Sequence, residues 1–143
     1  MFENDLYTIL NTDLSEGNPA FTAVIRLNNE HPLFGGHFPG NPILPGVCTL
    51  QIIRELLEKA TLQPLRMERS STIKYLGFIV PSVMPEVVFN LQRSGLENGS
   101  FSCSAVVTAR ESTVCSFKGS FTVFPESASH SGQAGAPPAS LNR

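Results

Sequence analysis

Residues 36–51 read GHFPGNPILPGVCTLQ, and this stretch joins a loop to the clearest helix that the sequence predicts. The first part of the stretch is dense in glycine and proline, which punctuate helices and strands. It contains His37, and the Pro45-Gly46 pair that follows opens an apolar segment. We therefore expect a titratable imidazole close to the unpaired amides of a helix start, an arrangement that suits chemistry on acyl groups.

The helix is predicted to run from Pro45 to about Ala60, because proline suits the first helical position. Apolar residues then recur at helical spacing: Val47, Leu50, Ile53, Leu56 and Leu57. Cys48 and Ile52 widen the apolar arc, which is typical of a helix that other elements enclose. Two ion pairs one turn apart are expected on the polar side: Arg54 with Glu58, and Glu55 with Lys59.

The remaining segments up to residue 124 alternate apolar and polar residues, as half-buried strands do. Two strands are predicted before the helix, over residues 6–14 and 18–28, with a turn at residues 15–18. Four are predicted after it, over residues 66–77, 83–92, 101–109 and 115–123. Ser94-Gly95 and Asn98-Gly99 are expected to form the connection between the second and third of these. Because parallel strands would need helical crossovers, the fold class is α+β with an antiparallel sheet against one helix.

A chain of 143 residues with 41% hydrophobic residues can bury one core. We place that single domain at residues 1–124. The long loop at residues 28–44 is expected to be functional, since compact domains seldom keep such loops otherwise. Residues 125–143 consist mainly of Ser, Ala, Gly and Pro and are predicted to form a disordered tail.

The net charge and the apolar runs of the sequence argue against a nucleic-acid-binding protein and against a membrane-spanning one. The formal net charge of −2 gives no reason to expect a nucleic-acid partner. The mildly basic residues 54–74 are either ordinary surface charge or a complement to an acidic partner. No apolar run approaches the ~20 residues that span a bilayer, and residues 1–10 lack the features of a secretion signal, so we expect a cytosolic protein.

The three cysteines show no metal-binding spacing and are expected to be reduced thiols. Cys103 and Cys115 are predicted to pack in the core, whereas Cys48 either packs there or lines a pocket. His31 and His130 are expected to be structural or solvent-exposed residues rather than catalytic ones. No metal or redox cofactor is implied.

The string GHFPGNPILPGV at residues 36–47 resembles the active-site signature of the hotdog-fold (3R)-hydroxyacyl-acyl carrier protein dehydratases of fatty acid synthesis. The resemblance implies a hotdog fold over residues 5–124, in which an antiparallel sheet wraps around one long central helix. It implies a lyase whose substrate is an acyl chain held by thioester on the phosphopantetheine of acyl carrier protein. It also implies a homodimer or a higher even oligomer, because sites in this family take residues from both subunits.

The resemblance assigns a role to individual residues. His37 takes the position of the histidine that removes a proton from the carbon next to the thioester carbonyl. Gly46 matches the glycine whose backbone N–H binds the resulting enolate-like oxygen, although a glycine that simply allows tight packing is the alternative. Substrate-binding residues are expected around these two, with Phe38 and Val47 as tunnel walls: Phe38, Pro39, Gly40, Pro45 and Val47.

Gln51 is where the chain departs from the family, which places Glu or Asp fourteen residues beyond the histidine, across the dimer interface. An amide can donate and accept hydrogen bonds but cannot deliver a proton. Three explanations stay open. Gln51 could position the 3-hydroxyl or a water while His37 shuttles the proton; Glu55 could act as the acid; or the protein could bind acyl chains without eliminating water.

That third explanation describes a non-catalytic hotdog subunit paired with an active dehydratase in a lipid or polyene pathway. A hotdog thioesterase is a weaker option, because Gln51 is also poorly suited to activate water. Residues 1–10 do not match the helix and His-Arg-Tyr-Pro-type segment that usually frame the tunnel in this family. Acyl chain length therefore stays open.

Overall fold

The computed structural model describes residues 2–15, 17–35, 42–69, 71–97 and 99–123. Within these ranges seven strands and a single long helix, α1, make up the fold, with a short 3-10 turn at Pro32–Phe34. Two strands precede α1 (Gly46–Thr61): β1 (Tyr7–Thr12) and β2 (Ala20–Leu27). Five follow it: β3 (Leu65–Met67), β4 (Thr72–Tyr75), β5 (Glu86–Glu97), β6 (Ser100–Ala109) and β7 (Ser112–Val123).

All seven strands belong to one antiparallel sheet with the order β1-β2-β5-β6-β7-β3, and β4 also pairs with β7. The predicted fold class, an antiparallel sheet with one helix against it, is therefore confirmed. No helix in the described ranges is both long enough and apolar enough to cross a bilayer.

The core lies between α1 and the inner face of the sheet. On the helix, Ile52, Ile53, Leu56 and Leu57 have no exposed surface. The strands contribute alternate apolar side chains that are nearly or fully buried: Phe21, Ile25, Val87, Phe89, Leu91, Phe101, Val107, Phe117 and Phe121. Full burial of one such side chain contributes roughly 1.5–3 kcal/mol. This packing fixes the position of the helix start, where the predicted site lies.

The helix begins and ends close to the predicted residues. Pro45 is its N-cap in an extended conformation, and its carbonyl accepts hydrogen bonds from the amides of Cys48 and Thr49. Proline therefore precedes the first helical residue instead of occupying that position. At the other end Leu62 adopts a left-handed conformation, and its amide bonds to the Glu58 carbonyl.

Three strand predictions need correction. Residues 66–77 do not form one strand, because β3 and β4 are separate and both pair with β7. Strand β5 begins at Glu86 and not near residue 83, since the Val83 amide bonds to the Val80 carbonyl in a turn. Gly95, which has a φ of +68°, does not end β5 but forms a bulge that lets pairing with β6 continue.

Several predicted features fall outside the described residues. They are the central part of the long loop, at residues 36–41, and the C-terminal stretch at residues 124–143. The domain limits at residues 124 and 125, and the interpretation of His130, therefore stay predictions.

Candidate active site

A cleft of about 230 Å³ opens beside the first turn of α1. Its lining comes from three parts of the chain: the residues around Leu44 and Gly46, the loop that follows β4, and the Val114-Cys115 segment of β7. Most lining side chains are apolar. Burial raises the pKa of the Cys115 thiol to about 11, so this group stays protonated at neutral pH and is not a thiolate nucleophile.

The first two amides of α1 face no acceptor within the described part of the chain. The amides of Cys48 and Thr49 bond back to Pro45, but those of Gly46 and Val47 donate no hydrogen bond there. Unpaired amides at a helix start carry partial positive charge and favour a negatively charged oxygen. Gly46 thus lies in the first helical turn beside a cleft, with no hydrogen bond from its amide to the described residues, and its role in binding an oxyanion stays a prediction.

Tyr75 packs directly on Gly46. A Cβ atom built on Gly46 would lie 2.5 Å from both the Cζ atom and the hydroxyl oxygen of Tyr75, which is closer than such atoms approach. Burial raises the pKa of Tyr75, and the nearby Cys115 raises it further, although half of this side chain is exposed. The structure therefore provides a packing reason for the glycine in addition to the predicted approach of a substrate.

Gln51 is half-buried, and both ends of its amide are engaged. Its Nε2 donates to Oε2 of Glu55 at 2.7 Å, and its Oε1 accepts from Arg54 at 2.8 Å. A glutamine that is simply solvated is therefore excluded. The amide is held in one orientation by its neighbours on α1.

Glu55 is a buried carboxylate, with 8% of its surface exposed. It accepts hydrogen bonds from the amides of Phe2 and Glu3, from the hydroxyl of Tyr7 and from Gln51. Burial alone would raise its pKa, but the hydrogen bonds from Gln51, the Phe2 amide and Tyr7 outweigh burial and lower it. Glu55 is therefore ionised at neutral pH, and this argues against its use as a proton donor.

The predicted ion pairs of α1 differ in outcome. Arg54 and Glu58 lie 4.0 Å apart, as expected. Lys59 instead pairs with Glu3 at 3.3 Å, because Glu55 turns inward to the N-terminal segment. The predicted surface pair of Glu55 with Lys59 is therefore wrong.

Sequence reasoning missed the N-terminal clamp, which we define as residues 2–7 with their contacts to Glu55. His31 reinforces the clamp, because its Nε2 lies 3.2 Å from Oδ2 of Asp5. Its Nδ1 accepts a hydrogen bond from the amide of Leu33. The expected structural role of His31 is confirmed. A sequence clue to the clamp is the position of Glu55 between Ile52 and Leu56, within the buried arc of α1.

The other predicted site residues are only partly visible. His37, Phe38, Pro39 and Gly40 lie outside the described residues. Val47 is 70% exposed and does not line the cleft, so its role as a tunnel wall would need a second subunit and stays a prediction. Cys48 is buried in the core, and the cysteine that lines the cleft is Cys115.

Comparison with known proteins agrees with this picture. The family model described as ApeI-like, ApeI dehydratase, matches residues 13–118. The 3-hydroxyacyl-acyl-carrier-protein dehydratase FabZ of Lactiplantibacillus plantarum is 38% identical over 117 residues, covering 71% of this chain and 76% of that protein. The protein of the same name from Levilactobacillus brevis is 34% identical over 132 residues, covering 82% and 84% respectively.

A solved structure supports the fold. The dehydratase heterocomplex ApeI:P from Xenorhabdus doucetiae contains a chain with a TM-score of 0.58 to this protein. Sequence identity is 14%, and the match covers 80% of this chain and 96% of that one. The antiparallel sheet, the one long helix in the described ranges and this likeness confirm the predicted hotdog fold.

Proposed function

The chain belongs to the ApeI-like dehydratase family, and we propose that it interconverts 3-hydroxyacyl and trans-2-enoyl thioesters carried by the phosphopantetheine of acyl carrier protein. The curated relatives described above are named for a dehydratase of 3-hydroxyacyl chains on this carrier. The observation that carries the proposal is the cleft at the helix start, which Gly46 lines, where its amide makes no hydrogen bond to the residues that the structure describes, and where the apolar space is large enough for part of an acyl chain.

In the proposed reaction His37 and Gly46 have separate roles. His37 takes the proton from the carbon next to the thioester carbonyl, and charge develops on the carbonyl oxygen, which the Gly46 amide binds. The bond to the 3-hydroxyl then breaks as the double bond forms, and the imidazolium of His37 returns its proton to the departing hydroxyl, which leaves as water. His37 thus acts first as base and then as acid.

Gln51 would hold the departing hydroxyl. Its Nε2 carries two hydrogens, of which one is directed to Glu55, so the second can still donate. Arg54 and Glu55 restrict rotation of the amide, which reduces the entropy lost when the amide binds its target. In the family arrangement this target lies in the partner subunit, next to that subunit's active-site histidine.

Exposed apolar residues around the cleft support a homodimer. Val47, Leu76 and Phe78 are 70%, 61% and 71% exposed and lie at the helix start and in the loop after β4. Exposed apolar patches of this kind mark interaction sites. A second copy placed there would cover them and close the acyl tunnel. The buried, unpaired cysteines agree with a protein of the reducing cytosol.

The test is to incubate the purified protein with a 3-hydroxyacyl carrier-protein thioester, and separately with its trans-2-enoyl counterpart. We expect interconversion in both directions, which mass spectrometry of the carrier-bound acyl group would measure. His37→Ala should abolish it, whereas the matched control His31→Ala should keep it. Release of free carrier thiol would instead identify a thioesterase.

A second function is favoured by one observation, the absence of a carboxylic acid at position 51, where Gln51 is held by two neighbours. The protein would then be a non-catalytic subunit that binds acyl chains and pairs with an active dehydratase. Acyl binding without interconversion, together with activity only after addition of a carboxylate-bearing family member, would establish this function and reject the first.

A further inference from the structure

We propose that the hydroxyl of Tyr75 is a second hydrogen-bond donor to the thioester oxygen that the Gly46 amide binds. The proposal rests on the proposed function, because it concerns the same acyl thioester in the same cleft. It makes Tyr75 a catalytic residue that neither composition nor the local sequence pattern indicates.

The sheet places Tyr75 at this position. Tyr75 is the last residue of β4, and it pairs with Cys115 of β7, which also lines the cleft. From there its ring reaches the first turn of α1. The hydroxyl oxygen lies 2.5 Å from the position that a Cβ on Gly46 would take, so it sits beside the same residue whose amide is expected to bind the thioester oxygen.

The hydroxyl is available to a ligand. It makes no hydrogen bond to any residue that the structure describes, whereas the hydroxyl of Tyr7 is committed to Glu55 at 2.9 Å. Burial raises the pKa of Tyr75, so its phenol remains protonated at neutral pH and can donate. The cleft that Tyr75 lines is mostly apolar, with Ile79 and Val114 among its residues, and hydrogen bonds made in such surroundings are stronger than in water, although half of the Tyr75 side chain is exposed.

A second donor has a physical purpose at this site. Negative charge grows on the thioester oxygen as the proton leaves, and donors that are already in place stabilise this charge more than they stabilise the neutral carbonyl. Loss of one such donor typically lowers kcat by 10²–10³-fold. The effect should therefore fall on kcat and leave KM nearly unchanged.

A ring that only packs against Gly46 is the competing explanation, and Tyr75→Phe separates the two because it keeps the ring and removes the hydroxyl. We expect kcat to fall roughly 100-fold with KM within about twofold of wild type. Thr12→Val is the control, because it removes a hydroxyl that donates to the Thr22 carbonyl outside the cleft and should therefore keep its kcat. An unchanged kcat in Tyr75→Phe would overturn the proposal.

An infrared measurement tests the same contact without turnover. In a His37→Ala background, a bound enoyl-pantetheine thioester labelled with carbon-13 at its carbonyl should show a lowered carbonyl stretching frequency. Adding Tyr75→Phe should move that frequency back towards the value of the free thioester, and no movement would overturn the proposal. If the wild type binds the thioester but never converts it, the proposed function fails while this readout still decides the contact; if no thioester binds, both fail.

Discussion

The side-chain amide of Gln51 donates a 2.7 Å hydrogen bond to Glu55, one turn further along α1. The position where the family resemblance predicts an acid is thus joined to a buried carboxylate that also binds the amides of Phe2 and Glu3. A change at residue 51 therefore alters the clamp as well as the site, and activity and stability have to be measured together.

Gln51→Glu should raise the rate of dehydration, because it supplies a proton donor where the family resemblance predicts one. The new carboxyl group would lie about as close to Glu55 as the amide does, and two neighbouring carboxylates retain a proton to higher pH. Turnover of a 3-hydroxyacyl carrier-protein thioester at neutral pH measures this. A large loss of rate would show that the amide itself is required.

The same variant should show a pH-dependent loss of stability. An acid whose pKa is higher in the folded than in the unfolded protein destabilises the fold once the pH exceeds the unfolded value of about 4.3. The deficit relative to wild type should therefore grow from pH 5 to pH 8 in urea unfolding. Gln51→Ala serves as the control, and an equal deficit of Gln51→Glu at both pH values would contradict the carboxylate pair.

Glu55→Gln should lower the free energy of unfolding by about 2 kcal/mol at pH 7, since hydrogen bonds to a charged acceptor are lost. The pKa of Glu55 is lowered by folding, so its contribution is present above about pH 4.3 and disappears as the pH falls through the folded value. Wild type and variant should therefore converge in stability on acidification. Urea titrations from pH 7 to pH 3 test this, and parallel curves would refute it.

Tyr7→Phe should lower the free energy of unfolding by about 1–2 kcal/mol, because it removes a buried hydroxyl that donates to the Glu55 carboxylate. Tyr75→Phe is the matched control, since its hydroxyl has no protein partner among the described residues and should contribute close to nothing. Denaturant midpoints at unchanged m-value provide the comparison. Equal losses in both variants would rule out a special role for the clamp.

Gly119→Ala should destabilise the fold by about 1–3 kcal/mol, because a Cβ there would collide with the side chain of Ser71 and approach Cζ of Phe117 at 2.8 Å. Adding Ser71→Gly should restore part of the loss by removing one obstacle. Gly35→Ala is the control, since its nearest neighbour would be at 3.4 Å and its melting temperature should barely change. A neutral Gly119→Ala would mean that β7 shifts more easily than the packing implies.

Much of the sheet follows from local pattern. The alternation of Val87, Phe89 and Leu91 correctly predicts the inward face of β5, because burial on one face imposes a period of two. The same rule failed at Val83, which fits the alternation but lies in a turn closed by the Val80 carbonyl. Periodicity reports which side chains face the core, and it does not report where backbone pairing stops.

The candidate site likewise combines features that local sequence predicts with features that depend on distant residues. The Pro-Gly pair predicts an unpaired amide at Gly46, since proline and the first helical turn impose it locally. The Glu55 clamp could not be predicted, because its partners Phe2 and Glu3 lie 53 and 52 positions away in sequence. The contact of Tyr75 with Gly46 could not be predicted for the same reason, because it depends on the pairing of β4 with β7. The placement of His37 stays a prediction.

The pairing of β2 with β5 has a kinetic consequence. Arg26 meets Glu86 across these strands, 60 positions later in the chain, whereas β6 and β7 are joined by a tight turn at residues 110–111. Closing a long loop costs entropy before its contacts are gained, so we expect the β6–β7 hairpin to form early and the β2–β5 seam to form late. While β5 has not yet emerged from the ribosome, the apolar surface of α1 would be exposed to solvent in the nascent chain. We therefore expect the risk of aggregation to be highest during this interval of synthesis.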